Sequence, residues 1–254
     1  ILIIDHPAVL YTHIAITALV ENNAAVVFSA KNHHPTGLLL PLDTNSVQSE
    51  RFRHQIEASQ PIKKRLWQLT VQAKIKNQGN LLKKIGTKNE RLNDLAKKVK
   101  SGDPQNIEAQ AARFYWPKIF GKKFRRERMG APPNNFLNYG YMVLRAAVAR
   151  SLVSSGLLPT LGIHHRNRYN AYCLADDVME PFRPFVDLVV LRILEKFDGA
   201  KDLSPEIKKI LLSMLTQTVS YSDQMRPLMV GLHQTTASIY RCFSGEQRTI
   251  DYPV

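Results

Sequence analysis

A change of periodicity near Asp43 constrains the fold of this 254-residue chain more than any other feature. Before it, Ile1 to Ile4 and Ala25 to Ser29 are short β-rich runs, and Thr36-Gly37 introduces a third, Leu38 to Leu42. Between the first two, Thr12 to Val20 carries apolar residues at helical spacing until Asn22-Asn23 ends it. After Asp43 the three-to-four-residue period takes over and strand candidates become few. The expectation is an α+β chain, mostly α. Residues 1–43 form part of an N-terminal β-rich domain, and residues 44–254 form a larger all-α domain. The chain opens on an apolar run with no Met, which reads as an interior strand and predicts that the start of the first domain is missing.

In the helical part, Ser46 is placed to cap a helix through Glu50, Arg53 and Ile56. Pro61 fits a helix start, and Ile62, Leu66, Leu69 and Ala73 share a stripe with Lys63, Lys64 and Lys74 off it. Leu81 to Val99 continues with leucines between lysines. Pro104 opens a helix that includes Glu108 and is expected to stop near Trp116-Pro117. Pro132-Pro133-Asn134 precedes the strongest helix, Asn135 to Ser155, closed by Gly156 in the left-handed region. Asp187 to Phe197 and Ser204 to Thr218 are the last helices expected.

Charge narrows the function. Lys and Arg number 35 against 21 Asp and Glu, a formal +14, so a polyanionic partner is expected. Nucleic acid is favoured over membrane, because the charge is spread along polar helices and no apolar run reaches the ~20 residues that span a bilayer. The longest, Phe185 to Leu194, is interrupted by Asp187 and Arg192. Cys173 and Cys242 stand far apart without CxxC spacing, which disfavours a structural zinc cluster and fits a reduced, cytoplasmic setting. Nothing resembles a P-loop, a GxGxxG turn or a nucleophile elbow, so Ser and Cys nucleophiles have no support.

Metal chemistry does have support. Gly156 to Pro184 delivers His164-His165 and then Asp176, Asp177 and Glu180, a mixture of imidazole and carboxylate that suits a divalent cation. Adjacent histidines diverge by about 100° on a helix, so one can ligate while the other packs or meets phosphate. Asp176 and Asp177 both share a helical face with Glu180, which is either a solvated acidic face or a cation site. Pro181 predicts a helix break at Glu180. Glu108, among alanines, lies on a face open to close packing and needs a partner there. Lys118 to Arg128 interleaves Phe120 and Phe124 with dense positive charge, including Lys122, Lys123, Arg125 and Arg126, and reads as a phosphate-contacting segment. The two Phe residues serve as core anchors or as base-stacking platforms. His33-His34, beside Pro35, has no carboxylate cluster near it and reads as structural.

With these residues in view, the chain resembles the CRISPR-associated integrase of spacer acquisition, in the form found beside a single-protein RNA-guided effector (type II). The segments that carry the resemblance are NIEAQAARFYW from Asn106, NNFLNYGYMVLRAAVARSLVSSGLLPTLGIHH from Asn134, and LADDVMEPFRP from Leu174. It implies a β-rich dimerisation domain and a helical catalytic domain. It also implies a Mg²⁺ or Mn²⁺ held by Glu108 of E-x-x-A-A-R, His165 of Gly162-x-x-His and Glu180 of D-x-x-E-P-F-R-P. Asp177 matches a further acidic position, and Arg166 and Arg183 flank the site. The implied partners are double-stranded DNA fragments, CRISPR repeat DNA, a second copy of the chain and a small dimeric CRISPR-associated protein with a ferredoxin-like fold. The implied reaction is insertion of a fragment by attack of its 3′-hydroxyl. The same residues would serve a structure-selective nuclease acting on branched DNA, and the basic charge alone would serve a non-enzymatic DNA scaffold.

Overall fold

The structure is a computed structural model and describes residues 1–30, 35–42, 45–127, 130–221 and 224–253. His33-His34 and the expected boundary at Asp43 and Thr44 lie outside the described residues, as does Arg128. The N-terminal part is a three-stranded sheet of β1 (Leu2–Ile4), β2 (Val26–Ser29) and β3 (Pro35–Leu39), in the order β1-β2-β3. β1 runs parallel to β2, and β3 antiparallel to it. A parallel neighbour needs a crossover, supplied by α1 (His13–Glu21), whose first turn is capped by Thr12 accepting from Ala15 N. β2 lies in the centre, and its Val26 and Val27 are buried.

The helical part is built around α3 (Gln60–Lys84) and α6 (Asn134–Ser154). α2 (Gln48–Glu57) precedes them, starting after Val47 with no side-chain cap rather than at Ser46. α3 is buried on more than one stripe because α4 (Glu90–Lys98), α5 (Ile107–Phe120), α7 (Cys173–Met179) and α8 (Arg183–Lys196) all pack against it. Leu66, Trp67, Thr70, Val71, Lys74, Ile75, Asn77 and Gln78 are all inside, so Lys74 is not on a solvent face as its place off the stripe implied. α6 ends at Ser154, with Gly156 at φ +68° as expected. The remaining elements are α9 (Pro205–Ser213), a hairpin of β4 (Thr218–Tyr221) and β5 (Gln224–Pro227), and α10 (Leu228–Ser244).

Four further expectations need correction. The Leu81 to Val99 stretch is divided, because α3 stops at Lys84 and Gly86 takes φ +72° before α4 begins. α5 starts at Ile107, after Asn106 in the left-handed region, rather than at Pro104. There Asp103 accepts the N–H groups of Ile107 and Glu108, and Asn106 that of Ala109. The same helix passes through Pro117 to Phe120, where a cluster of Trp116, Phe120 and Phe124 packed on the core offsets the lost backbone bond. The expected helix to Thr218 ends at Ser213, and Thr218 instead opens β4, where alternation buries Val219 and Tyr221.

Candidate active site

The loop after Gly156 is fixed from below. Gln55, 1% exposed, donates to Leu158 O and Leu161 O and accepts from Leu158 N. A side chain at Gly162 would stand 2.5 Å from His165 O and 2.8 Å from Asp177 Oδ2, so only glycine lets the loop close over that carboxylate. Asp177 is wholly buried on α7. Its Oδ2 accepts Ile163 N at 2.7 Å and His164 N at 2.9 Å, and its Oδ1 accepts His165 N at 3.2 Å. His165 Nδ1 lies 2.5 Å from the same Oδ1.

This arrangement separates the two histidines. The Asp177 hydrogen bond raises the His165 pKa above the ordinary value, against burial. It also leaves Nε2 as the nitrogen available for coordination. His164 instead stacks on buried Trp67, centroids 4.1 Å apart and rings 3° from parallel, and burial lowers its pKa. Asp177 is thus spent on orienting the loop and the imidazole rather than standing free as a ligand. Asp176 is spent too, held by Arg145 Nε at 2.7 Å, by its Nη2 at 3.0 Å, and by Asn170.

Pro181 breaks the helix as expected, into a 3₁₀ turn Glu180–Phe182 between α7 and α8. Asn77 of α3 donates to Pro181 O and so fixes the turn. Glu180, 5% exposed, receives Arg183 Nη2 on Oε1 at 2.9 Å. Lys74 Nζ lies 2.5 Å from Glu180 Oε2 and 2.5 Å from Glu108 Oε1. Burial would raise the Glu180 pKa, but Arg183 and Lys74 outweigh it and hold the carboxyl below its ordinary value. Burial likewise opposes the Lys74 charge, and Glu180 and then Glu108 keep its pKa raised.

Among the described residues, no group of three or more His, Cys, Asp or Glu side chains converges as a ready metal cage. The donor set nonetheless fits a divalent cation. Glu180 Oε2 is buried, and the group facing it is the Lys74 ammonium, 2.5 Å away. Glu108 and Glu180 already meet at one positive centre, and His165 is close enough to Glu180 to feel its charge. Carboxylates with one imidazole suit Mg²⁺ or Mn²⁺.

The flanking cations divide by environment. Lys122, Lys123 and Arg125 are exposed, and Arg166 reaches Gln60 at the surface. Arg126 is instead tied to Asn134 and Asn138 and lies 5.2 Å from the Tyr141 ring centre. Arg183 faces the same ring at 4.7 Å. Under it, buried Asp187 accepts from Tyr141 OH at 2.5 Å and Tyr115 OH at 2.7 Å. Burial pushes the Asp187 carboxyl up to about 6, although both phenols oppose the shift. Lys74, Trp67 and the Asp187 cluster were not among the candidate functional residues read from the sequence.

Solved structures share this fold of a small sheet followed by a helical bundle. A casposase bound to integration product superposes with a TM-score of 0.78 at 20% identity, over 94% of this chain and 77% of that one. A Cas6-RT-Cas1–Cas2 complex gives 0.71 at 20% identity, over 94% of this chain and 31% of that one. The chain belongs to the Cas1 family: the model of the CRISPR associated protein Cas1 matches residues 1–218. It is 38% identical over 240 residues to the CRISPR-associated endonuclease Cas1 of Neisseria meningitidis serogroup C (strain 8013), covering 94% of this chain and 79% of that protein.

Proposed function

We propose that this chain is a divalent-metal-dependent DNA integrase that inserts short DNA fragments into CRISPR repeat DNA. The observation that carries the reading is the meeting of Glu108 and Glu180 at one buried cation, beside an imidazole oriented by Asp177. Glu108, His165 through Nε2, and Glu180 would hold Mg²⁺ or Mn²⁺. Such an ion, when bound, polarises a phosphate and neutralises charge on the departing oxygen. The chain's own part is positional. Asp177 fixes the imidazole, Arg183 holds one oxygen of Glu180, and Asn77 holds the turn that presents it. The 3′-oxygen of the fragment forms a new P–O bond as the repeat's P–O3′ bond breaks, and the released 3′-oxygen takes up the proton. One phosphodiester replaces another, so no covalent protein intermediate is needed.

The partners follow from the same reading. The +14 charge supports binding to double-stranded fragments and repeat DNA. Joining both ends of a fragment needs two active sites at a fixed distance, which a symmetric assembly supplies. Residues 1–43 are read as part of the dimerisation domain and residues 44–254 as the catalytic domain. Leu10 and Ile14, 97% and 79% exposed at the start of α1, offer apolar surface for a second copy. A small ferredoxin-like protein of the Cas2 kind is the expected bridge, since a Cas1–Cas2 complex is among the matching folds.

The test follows joining and cutting together, with labelled 3′-hydroxyl fragments, repeat DNA and Mn²⁺. Joined product should form and be abolished in Glu108→Ala, His165→Ala and Glu180→Ala, with DNA binding kept. Cutting of branched DNA without joining would favour a structure-selective nuclease using water, a reading that the endonuclease name of the relatives also supports. DNA binding with no metal-dependent chemistry would leave only a basic scaffold.

A further inference from the structure

Lys74 is 9% exposed, its ammonium reaches carboxylates from two separate elements, and the role of metal ligand falls on both of those carboxylates. We infer that Lys74 is a displaceable counter-ion of the metal site. Its ammonium holds Glu108 and Glu180 together without a divalent cation and releases both when one binds. The inference rests on the ligand reading above and adds what the metal must displace.

Charge balance supports it. Two carboxylates brought together in the interior repel each other unless a cation neutralises them. Here Lys74 and Arg183 supply two positive charges against the two negative ones, so the cluster is already neutral. A divalent ion added beside an unmoved Lys74 would leave an excess of positive charge in a site of low polarity, which is strongly unfavourable.

Geometry says which cation leaves. Arg183 binds the other oxygen of Glu180, at 2.9 Å, and its guanidinium is packed against the Tyr141 ring, so it can stay. Lys74 faces the oxygens that the metal would need, 2.5 Å from one of each carboxylate. Its ammonium rides on a flexible four-carbon stem, and the Glu108 side chain is 28% exposed, so the cluster opens to solvent on that side. A fixed structural ion pair would behave differently. Removing Lys74 would then loosen the two carboxylates and weaken metal binding.

The experiment is Mn²⁺ titration calorimetry at one pH and salt concentration, on the wild type, Lys74→Met, Lys74→Gln, the exposed-lysine control Lys76→Met, and Glu180→Ala. Loss of the competing cation should tighten Mn²⁺ binding by about tenfold in both Lys74 variants, within the range usual for coupled binding. Lys76→Met should bind as the wild type does. The metal-free melting temperature of the Lys74 variants should fall, and Mn²⁺ should restore it by more than it raises the wild type. Equal or weaker Mn²⁺ binding in folded Lys74 variants, with Glu180→Ala reducing binding, overturns the displacement and makes Lys74 a fixed clamp. Binding that Glu180→Ala does not reduce overturns the ligand reading itself, and the inference with it.

Discussion

His165 Nδ1 stands 2.5 Å from Asp177 Oδ1, and that carboxylate also accepts the backbone N–H groups of Ile163, His164 and His165. One buried side chain therefore sets both the loop and the tautomer of the imidazole on it. An N–H on Nδ1 directed at a carboxylate leaves Nε2 with its lone pair and makes it a stronger donor.

Asp177→Asn is accordingly expected to weaken Mn²⁺ binding by about 10–100-fold, the usual cost of losing an orienting partner. Its amide nitrogen would face N–H groups on the oxygen it replaces, so the melting temperature should fall as well. Proton NMR titration separates the two effects. The His165 pKa, raised in the wild type by Asp177, should drop in the variant. An unchanged His165 titration would detach Asp177 from the imidazole.

Asp187 gives a pH dependence with a definite sign. Its folded pKa is about 6, above the ordinary carboxylate value of 3.8, because it is buried. A group with a raised folded pKa contributes stability that is complete below the unfolded pKa and is lost as pH rises through the folded one. Between about pH 3 and about pH 7 the wild type should therefore lose about 3 kcal/mol relative to Asp187→Asn. Other carboxylates move in both proteins alike, so the difference between their urea stabilities at each pH is the measurement. A constant difference across that window would show that folding does not shift the Asp187 pKa.

The basic segment should divide functionally as it divides structurally. Lys122, Lys123 and Arg125 are exposed, and neutralising all three should flatten the slope of log affinity against log salt, by about 0.9 for each duplex phosphate they neutralise. Arg126 bonds Asn134 and Asn138 instead, so Arg126→Ala should lower the melting temperature and leave that slope nearly intact. Fluorescence anisotropy over a salt series checks both. A slope that moves only with Arg126 would reverse the assignment.

Features carried by local chemistry were legible in the sequence. Pro181 broke the helix, Gly156 took the left-handed turn, and the short β-rich runs before Asp43 formed a sheet. The divergence of the His pair was legible as well, though not which ring packs. Glu108 and Glu180 as a pair came from family resemblance, since 72 positions separate them in sequence and nothing local links them. Lys74 was hidden because α3 packs on several helices at once, so a single apolar stripe misplaced it. A trace of it remains in the spacing of Lys74, Asn77 and Gln78, which puts polar side chains on one face of the helix. The Tyr115, Tyr141 and Asp187 cluster joins three helices, which no periodicity reveals. The β4–β5 hairpin was missed because β5, Gln224–Pro227, is polar and largely exposed and so carries no apolar strand pattern.

Anomalous diffraction from crystals soaked in Mn²⁺ tests the central claim most directly. One strong manganese peak is expected, bonded to a Glu108 oxygen, His165 Nε2 and a Glu180 oxygen at about 2.0–2.2 Å, with Asp177 still on Nδ1 and Lys74 withdrawn. A peak bonded to Asp176 or Asp177 instead, or none at these residues under saturating Mn²⁺, would contradict it.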